Sequence, residues 1–121
     1  MSIQLDMEQA GGYLHMHPRG TYAREDVFPI SRRVLDECRQ HDCSRILIDT
    51  SGLDMEALPP SETRFMVQHI AKTFIDTHGI TVAFVVPPVA HQDFSAALAD
   101  LDRPGLMAFM EQKAALDWLL K

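Results

Sequence analysis

The sequence predicts an α/β domain in which a mixed β-sheet carries helices mainly on one face. Residues 45–49 and 80–86 are almost uninterrupted runs of branched apolar side chains, as expected for strands covered on both faces. A helical pattern separates these two strands, which favours a parallel βαβ unit with a right-handed crossover. The third observation is an alternating apolar pattern near the amino terminus, which indicates an antiparallel hairpin.

Length and composition restrict the class of protein. The chain has 121 residues, of which 46% are apolar and 23% charged, so we expect a single domain over residues 1–121 with a substantial core. The net charge is −6, and the basic residues form no continuous stripe, which argues against binding to nucleic acid. No apolar run is long enough to span a bilayer, and the first residues do not resemble a signal peptide. The sequence therefore predicts a cytoplasmic protein without a transmembrane segment.

The elements are expected in the order ββαβαβαβα, beginning with the hairpin. Apolar residues alternate with polar ones over residues 3–7 and 13–17, and Gly11 and Gly12 form the turn between them. Pro18 cannot donate a backbone hydrogen bond, so the second strand should end there or lie at a sheet edge.

The first helix is expected over residues 25–41. Its apolar residues recur at helical spacing, and Pro29 is tolerated only near a helix start, which places that start at residues 24–26. Cys38 and Cys43 lack the spacing of a metal-binding or redox pair, so both are expected to be structural thiols.

Residues 54–60 are expected to form a polar loop, and Ser61 with Glu62 has the chemistry of a second helix start. This helix should extend to about residue 77. Its helical phase places Phe65 away from the core, on the side of its polar residues. These are Gln68, His69 and Lys72.

The remaining chain predicts a third helix around Phe94, a short strand at residues 106–109 and a last helix at 111–120. In the last helix, Leu116 and Leu120 lie towards the side opposite the other apolar residues. We expect this helix either to be sandwiched or to contact another subunit.

This order of elements resembles that of STAS domains, the family of sporulation anti-sigma-factor antagonists, and more closely their SpoIIAA-like relatives with a Sec14-like fold. The resemblance covers nearly the whole chain. It implies a non-catalytic regulatory module that binds a protein partner, with self-association as a further expectation and no cofactor. The Sec14-like relatives imply the alternative of a small apolar-ligand or lipid-binding domain. Four segments carry the likeness: residues 24–27, 45–49, 107–109 and 114–119.

In antagonists of this family, a partner kinase phosphorylates a hydroxyl residue within a segment similar to Asp-Ser-Ser-Gly-Leu. Residues 49–53, Asp-Thr-Ser-Gly-Leu, resemble it and place Thr50 at the acceptor position. A second alignment matches residues 46–53 to the preceding strand and turn, and places the acceptor near Ser61. The expected surface combines these segments with the outward Phe65. It comprises Asp49, Thr50, Ser51, Ser61 and Phe65.

Two other groups of residues suggest chemistry. His15 and His17 share one face of a predicted strand and could bind zinc, but no third ligand is identifiable. Asp49, Asp54 and Glu56 follow the central strand and could serve as acid and base or around a hard cation. No nucleophile with a base accompanies them, so solvated carboxylates and turn hydrogen bonds explain them better. The sequence therefore predicts neither a metal site nor an enzyme.

Overall fold

A computed structural model describes residues 3–54 and 58–121, and within them the chain forms one mixed sheet flanked by helices. The strands are β1 (Ile3–Ala10), β2 (Tyr13–Thr21), β3 (Arg45–Asp49), β4 (Gly52–Asp54), β5 (Thr81–Val85) and β6 (Leu106–Phe109). The helices are α1 (Val27–Gln40), α2 (Pro60–Ile70), α3 (Pro88–Leu101) and α4 (Gln112–Leu119). A 3-10 turn, Arg24–Asp26, leads into α1.

The sheet has the strand order β1-β2-β3-β5-β6, and β4 also pairs with β2. The β1–β2 pair is antiparallel and the other pairs are parallel. The prediction that strands at residues 45–50 and 80–86 are buried neighbours is confirmed, since Ile48 lies opposite Phe84 in the β3–β5 ladder. Ile48 and Val82 are both in the core.

Three helices cover one face of the sheet and one covers the other, which confirms the predicted arrangement. Side chains of α1, α2 and α3 pack in one apolar cluster with Ile46, Ile48 and Val82. On the opposite face, Ala115 and Leu119 of α4 pack against the sheet in a separate cluster. This alternation follows from the strand period of two, which sends neighbouring residues to opposite faces.

The last helix is not sandwiched within the described part of the chain. Leu116 and Trp118 pack partly against the cluster beneath α4, whereas Leu120 is 40% exposed. Ala114, in the first turn of α4, is exposed as well. The large apolar side chain exposed at this end of the chain is therefore that of Leu120, the residue that follows the last residue of α4.

The expectation that β2 ends or reaches a sheet edge at Pro18 is wrong. Pro18 lies inside β2, opposite Leu5 of β1, and the strand continues to Thr21. Pairing of β2 with β3 ends at Met16, and pairing with β4 begins at Arg19. Pro18 is tolerated because it occupies the gap between the two partner strands, where no ladder donor is required.

The expectation of a polar loop from residue 54 is also corrected, because Gly52–Asp54 forms β4 and pairs with the end of β2. After the undescribed residues 55–57, α2 begins at Pro60, one residue before the expected start. Beyond Ile70 the helix continues with π-helical geometry through Ala71–Asp76. No helix in residues 3–54 or 58–121 is long and apolar enough to cross a membrane.

Candidate interaction site

Thr50, one of the two candidate acceptors, is buried at the end of β3. Its backbone N–H and its hydroxyl both donate to the carbonyl oxygen of Val85, at 3.0 and 2.8 Å. The side chain is only 1% exposed. These bonds join the ends of β3 and β5, so the hydroxyl of Thr50 has a structural role and no access to solvent.

Asp49 and Ser51 shape the turn that follows. The carboxylate of Asp49 accepts the N–H of Ser51 at 3.0 Å, and the N–H of Leu53 donates to the carbonyl of Thr50. Asp49 thus makes a hydrogen bond within the turn, which is the role that the sequence analysis preferred for it over acid or base catalysis. Asp54 is exposed in β4, and Glu56 lies outside the described residues.

Gly52 follows this turn at a position where a larger residue would collide with β2. A Cβ atom added there would lie 2.7 Å from Cγ of Arg19 and 2.9 Å from the carbonyl oxygen of Pro18. The close approach lets β4 pair with β2 and holds the turn against the sheet. Glycine is therefore required for packing here.

Ser61, the other candidate acceptor, lies exposed in the first turn of α2. The carbonyl of Pro59 accepts the N–H groups of Glu62 and Thr63, at 2.9 and 3.3 Å. Because α2 starts here, Ser61 is at the positive end of the helix dipole. A negative group on its side chain would be electrostatically favoured in this position.

Arg24 connects the 3-10 turn to this first turn of α2. Its guanidinium donates to both carboxylate oxygens of Glu62, with 3.1 Å from Nε to Oε1. The hydrogen bonds to Arg24 lower the pKa of Glu62. Burial, followed by the negative charge of Glu62, raises the pKa of the neighbouring Tyr22 to about 12.

Phe65 lies away from the main core, as its helical phase predicts, but it is only partly exposed. The guanidinium carbon of Arg24 lies 4.2 Å from its ring centre. Phe28 of α1 meets it edge-on, with ring centres 6.2 Å apart, and His69 stacks at 6.5 Å. We call Phe28, Phe65 and His69 the outer aromatic cluster.

Phe28 is the residue of this cluster that sequence reasoning missed. Its side chain is 60% exposed, and its ring contacts both Phe65 and His69. The available signal was a large aromatic residue on the polar side of the amphipathic first helix. The pattern of one helix could not show that α2 supplies partners for it.

His69 forms the inner side of the cluster. Its Nε2 atom is 2.9 Å from the hydroxyl of Ser31, and its Nδ1 atom is 3.4 Å from that of Thr73. Burial lowers the pKa of His69 below the ordinary histidine value, so the ring is neutral at pH 7.

His15 and His17 lie on the face of β2 opposite α1 and α2. Their rings are nearly parallel with centres 6.3 Å apart, and their Nε2 atoms are buried without a hydrogen-bond partner within the described chain. Glu8 and Asp6 are their register neighbours on β1. Among residues 3–54 and 58–121, no group of three or more His, Cys, Asp or Glu side chains is arranged to hold a metal ion.

A small apolar cavity of about 60 Å³ lies beneath α1 and α2. Ile48, Met66 and Phe84 are among its lining residues. Its volume corresponds to about two water molecules in the liquid, at roughly 30 Å³ each, which is too little for a lipid chain.

The fold of this chain is similar to that of several solved structures. No family model and no curated protein matches the chain. Among solved structures, an anti-sigma factor antagonist from Mycobacterium paratuberculosis is 14% identical over 99% of this chain and 96% of that chain, with a TM-score of 0.67. A variant of RsbS from Moorella thermoacetica is 18% identical over 97% of this chain and 95% of that chain, with a TM-score of 0.66.

The anti-sigma factor antagonist SpoIIAA in its unphosphorylated form is 14% identical over 94% of this chain and 95% of that chain, with a TM-score of 0.53. The likeness to these structures shows that this chain has the STAS/SpoIIAA-like fold, as the sequence predicted.

Proposed function

We propose that this chain is a non-catalytic regulatory module that binds a protein partner around Ser61 and the outer aromatic cluster, and that Ser61 is its phosphoacceptor. The observation that carries the proposal is the different exposure of the two candidate hydroxyls. Ser61 is exposed at the start of α2, whereas Thr50 is buried. The fold shared with anti-sigma factor antagonists supports a regulatory role.

Electrostatics favours Ser61 as a switch. A phosphate adds a charge of about −1.5 to −2 at pH 7, which suits the positive end of a helix. The same charge would lie beside Glu62, whose carboxylate is already paired with Arg24. A phosphate on Ser61 would therefore compete for Arg24 and alter the surface that includes Phe65.

The outer aromatic cluster supplies the apolar part of the proposed surface. Aromatic side chains dominate the energetics of protein interfaces, and Phe28 is one of the exposed large apolar residues of the described chain. Its edge-on contact with Phe65 favours one relative orientation of the two rings before a partner binds. A partner would thus meet a preorganised surface.

The test uses affinity capture from cells of the native source with immobilised wild-type protein, Ser61→Ala and Ser61→Asp. We expect a partner that binds wild type and Ser61→Ala but is lost with Ser61→Asp. Ser44→Asp is the matched control, because it introduces the same charge at an exposed serine outside the proposed surface. Ser44 lies in the loop before β3, whereas Thr50 and the turn that leads towards α2 follow the other end of this strand. Equal capture by Ser61→Asp and wild type would contradict the proposed switch.

A second candidate function is the binding of a small apolar ligand, favoured by the cavity beneath α1 and α2. Its size admits a ligand such as xenon and excludes a lipid chain. Xenon titration followed by NMR would shift the methyl resonances of Ile48 and Met66 if the cavity binds ligands. Unchanged methyl resonances at saturating xenon would reject this candidate.

A further inference from the structure

A groove runs between α1 and α2 on the outer side of the molecule, beside the outer aromatic cluster. It is open to solvent and has a volume of about 590 Å³, and we call it the α1–α2 groove. Residues of α1 and of the helix that begins with α2 line it, among them Phe28, Arg32, Leu35, Arg39, His69 and Lys72.

The walls of this groove are basic in a protein that is acidic. Arg32, Arg39 and Lys72 line it with a single carboxylate, that of Asp36, whereas the whole chain has a net charge of −6. Arg39 and Asp36 form an exposed ion pair at 3.8 Å. Arg32 and Lys72 have no ion-pair partner within the described chain, so both charges are available to a ligand.

The inner surface of the groove is neutral and partly apolar. Phe28 and Leu35 contribute apolar side chains, and His69 is bonded to Ser31 and stays uncharged at pH 7. The groove therefore combines an apolar strip with cationic groups on both walls. Surfaces of this composition complement segments that carry apolar and acidic residues on one face.

We propose that the α1–α2 groove binds an acidic amphipathic peptide segment of a protein partner. Apolar residues of the segment would pack against Phe28 and Leu35, while its carboxylates would meet Arg32 and Lys72. Arg39, whose exposed ion pair with Asp36 is weak, is a further cation on the same wall, seven residues or a rise of about 10 Å from Arg32 on α1. Acidic side chains about two helical turns apart in the segment match this spacing.

Charge distribution favours a peptide over a membrane or a nucleic acid. Either of those would face more of the molecule than the groove, and the net charge of −6 would oppose its approach. A short peptide in the groove lies closest to the local positive charge of Arg32 and Lys72. The proposal rests on the proposed function in assuming a protein partner, but it does not require Ser61 to be phosphorylated.

The test measures fluorescence anisotropy of a labelled synthetic peptide of about 11 residues, or three helical turns, with Glu and Leu in an amphipathic helical pattern. We expect binding that weakens with added salt and is lost when the Glu residues are replaced by Gln. Arg32→Gln and Lys72→Gln should each weaken binding on the order of fivefold, since each removes one charge pair with the peptide. Phe28→Ala should weaken peptide binding more than either of these two variants does, because it removes an apolar contact with the Leu residues of the peptide.

Matched controls distinguish the groove from general charge. Arg33→Gln and Lys113→Gln make the same charge changes outside the groove lining and should leave binding unchanged. Equal weakening by these controls, or no binding of the Glu peptide at low salt, would overturn the proposal. Stronger binding to phosphatidylserine vesicles than to the peptide, lost with Arg32→Gln, would identify a membrane and overturn it as well. The Ser61→Asp variant separates the two proposals. If this variant still binds the peptide and still captures the partner as wild type does, the phosphorylation switch at Ser61 is rejected and the peptide site in the α1–α2 groove is retained.

Discussion

The guanidinium carbon of Arg24 lies 4.2 Å from the centre of the Phe65 ring. The same guanidinium forms two hydrogen bonds with the carboxylate of Glu62, three residues earlier on α2. One side chain from the 3-10 turn thus contacts both the first turn and the outer face of α2. Arg24 therefore positions the helix start that carries Ser61.

Replacing Arg24 by Gln should lower the free energy of unfolding near neutral pH. Because Arg24 lowers the pKa of Glu62, the stabilisation is fully present above the unfolded-state pKa of about 4.3 and is lost as the pH falls through the folded-state pKa. The difference between wild type and Arg24→Gln should therefore shrink below about pH 4. Urea denaturation at a series of pH values measures this difference.

Arg39→Gln is the control for this prediction. Arg39 and its partner Asp36 are both largely exposed and 3.8 Å apart, so their pair should contribute little at any pH. A pH-independent difference between wild type and Arg24→Gln would show that the ion pair with Glu62 is not the cause.

Gly52→Ala should destabilise the protein by about 1 to 3 kcal/mol, the usual range for overpacking. The added Cβ would lie 2.9 Å from the carbonyl oxygen of Pro18, a backbone atom that cannot rotate away. Gly11→Ala is the matched control, since no atom lies within 4 Å of a Cβ at that hairpin position. Thermal and urea denaturation of both variants would check this; equal stability would mean that β4 does not pack closely on β2.

Val82→Ala and Ile48→Ala should each lower the free energy of unfolding by about 1 to 4 kcal/mol, because they remove methyl groups from the core. Val82 is completely buried and Ile48 is 5% exposed. Val89→Ala makes the same change as Val82→Ala at a site that is 62% exposed, and should shift stability by about 0.5 kcal/mol or less. Losses near zero at both core positions would contradict the central-strand assignment.

Local pattern was sufficient to predict most of the fold. The interior positions of the runs at residues 45–49 and 80–86 are all apolar except Thr81, and this is the pattern of strands covered on both faces. The pairing of β4 with β2 could not be predicted in this way. It depends on the close approach at Gly52 and on the gap opposite Pro18, which are properties of three strands together.

In the candidate site too, local pattern predicted the position of one residue, whereas the contacts between distant segments could not be predicted from the sequence. Helical phase placed Phe65 outside the core, but its neighbours Phe28 and Arg24 come from a segment about forty residues earlier in the chain. The sequence left Thr50 and Ser61 as alternative acceptors because the phosphorylated segment of the antagonists can be aligned with this chain in two registers. Burial, which depends on the neighbouring strand β5, distinguishes them.

Phe65→Ala should weaken binding of a native partner, or self-association, while reducing stability only moderately. The helical phase alone predicted almost no change in stability. The contacts with Arg24 and Phe28 raise the expected loss to about 1 kcal/mol, the range of an exposed cation–π or aromatic pair. Urea denaturation measures the stability change, and sedimentation velocity with affinity capture measures association.

Val89→Ala controls for the loss of an exposed apolar side chain, since Val89 is 62% exposed at the start of α3 and is not one of the residues of the outer aromatic cluster. It should leave association unchanged, whereas Ser61→Asp should disturb the same association as Phe65→Ala. A stability loss of several kcal/mol in Phe65→Ala would show that the ring belongs to the core. If association survives both Phe65→Ala and Ser61→Asp, the interaction surface lies elsewhere. The partly buried Leu116 of α4 and the exposed Leu120 that follows this helix are then the next residues to replace, because Leu120 presents a large apolar side chain to solvent.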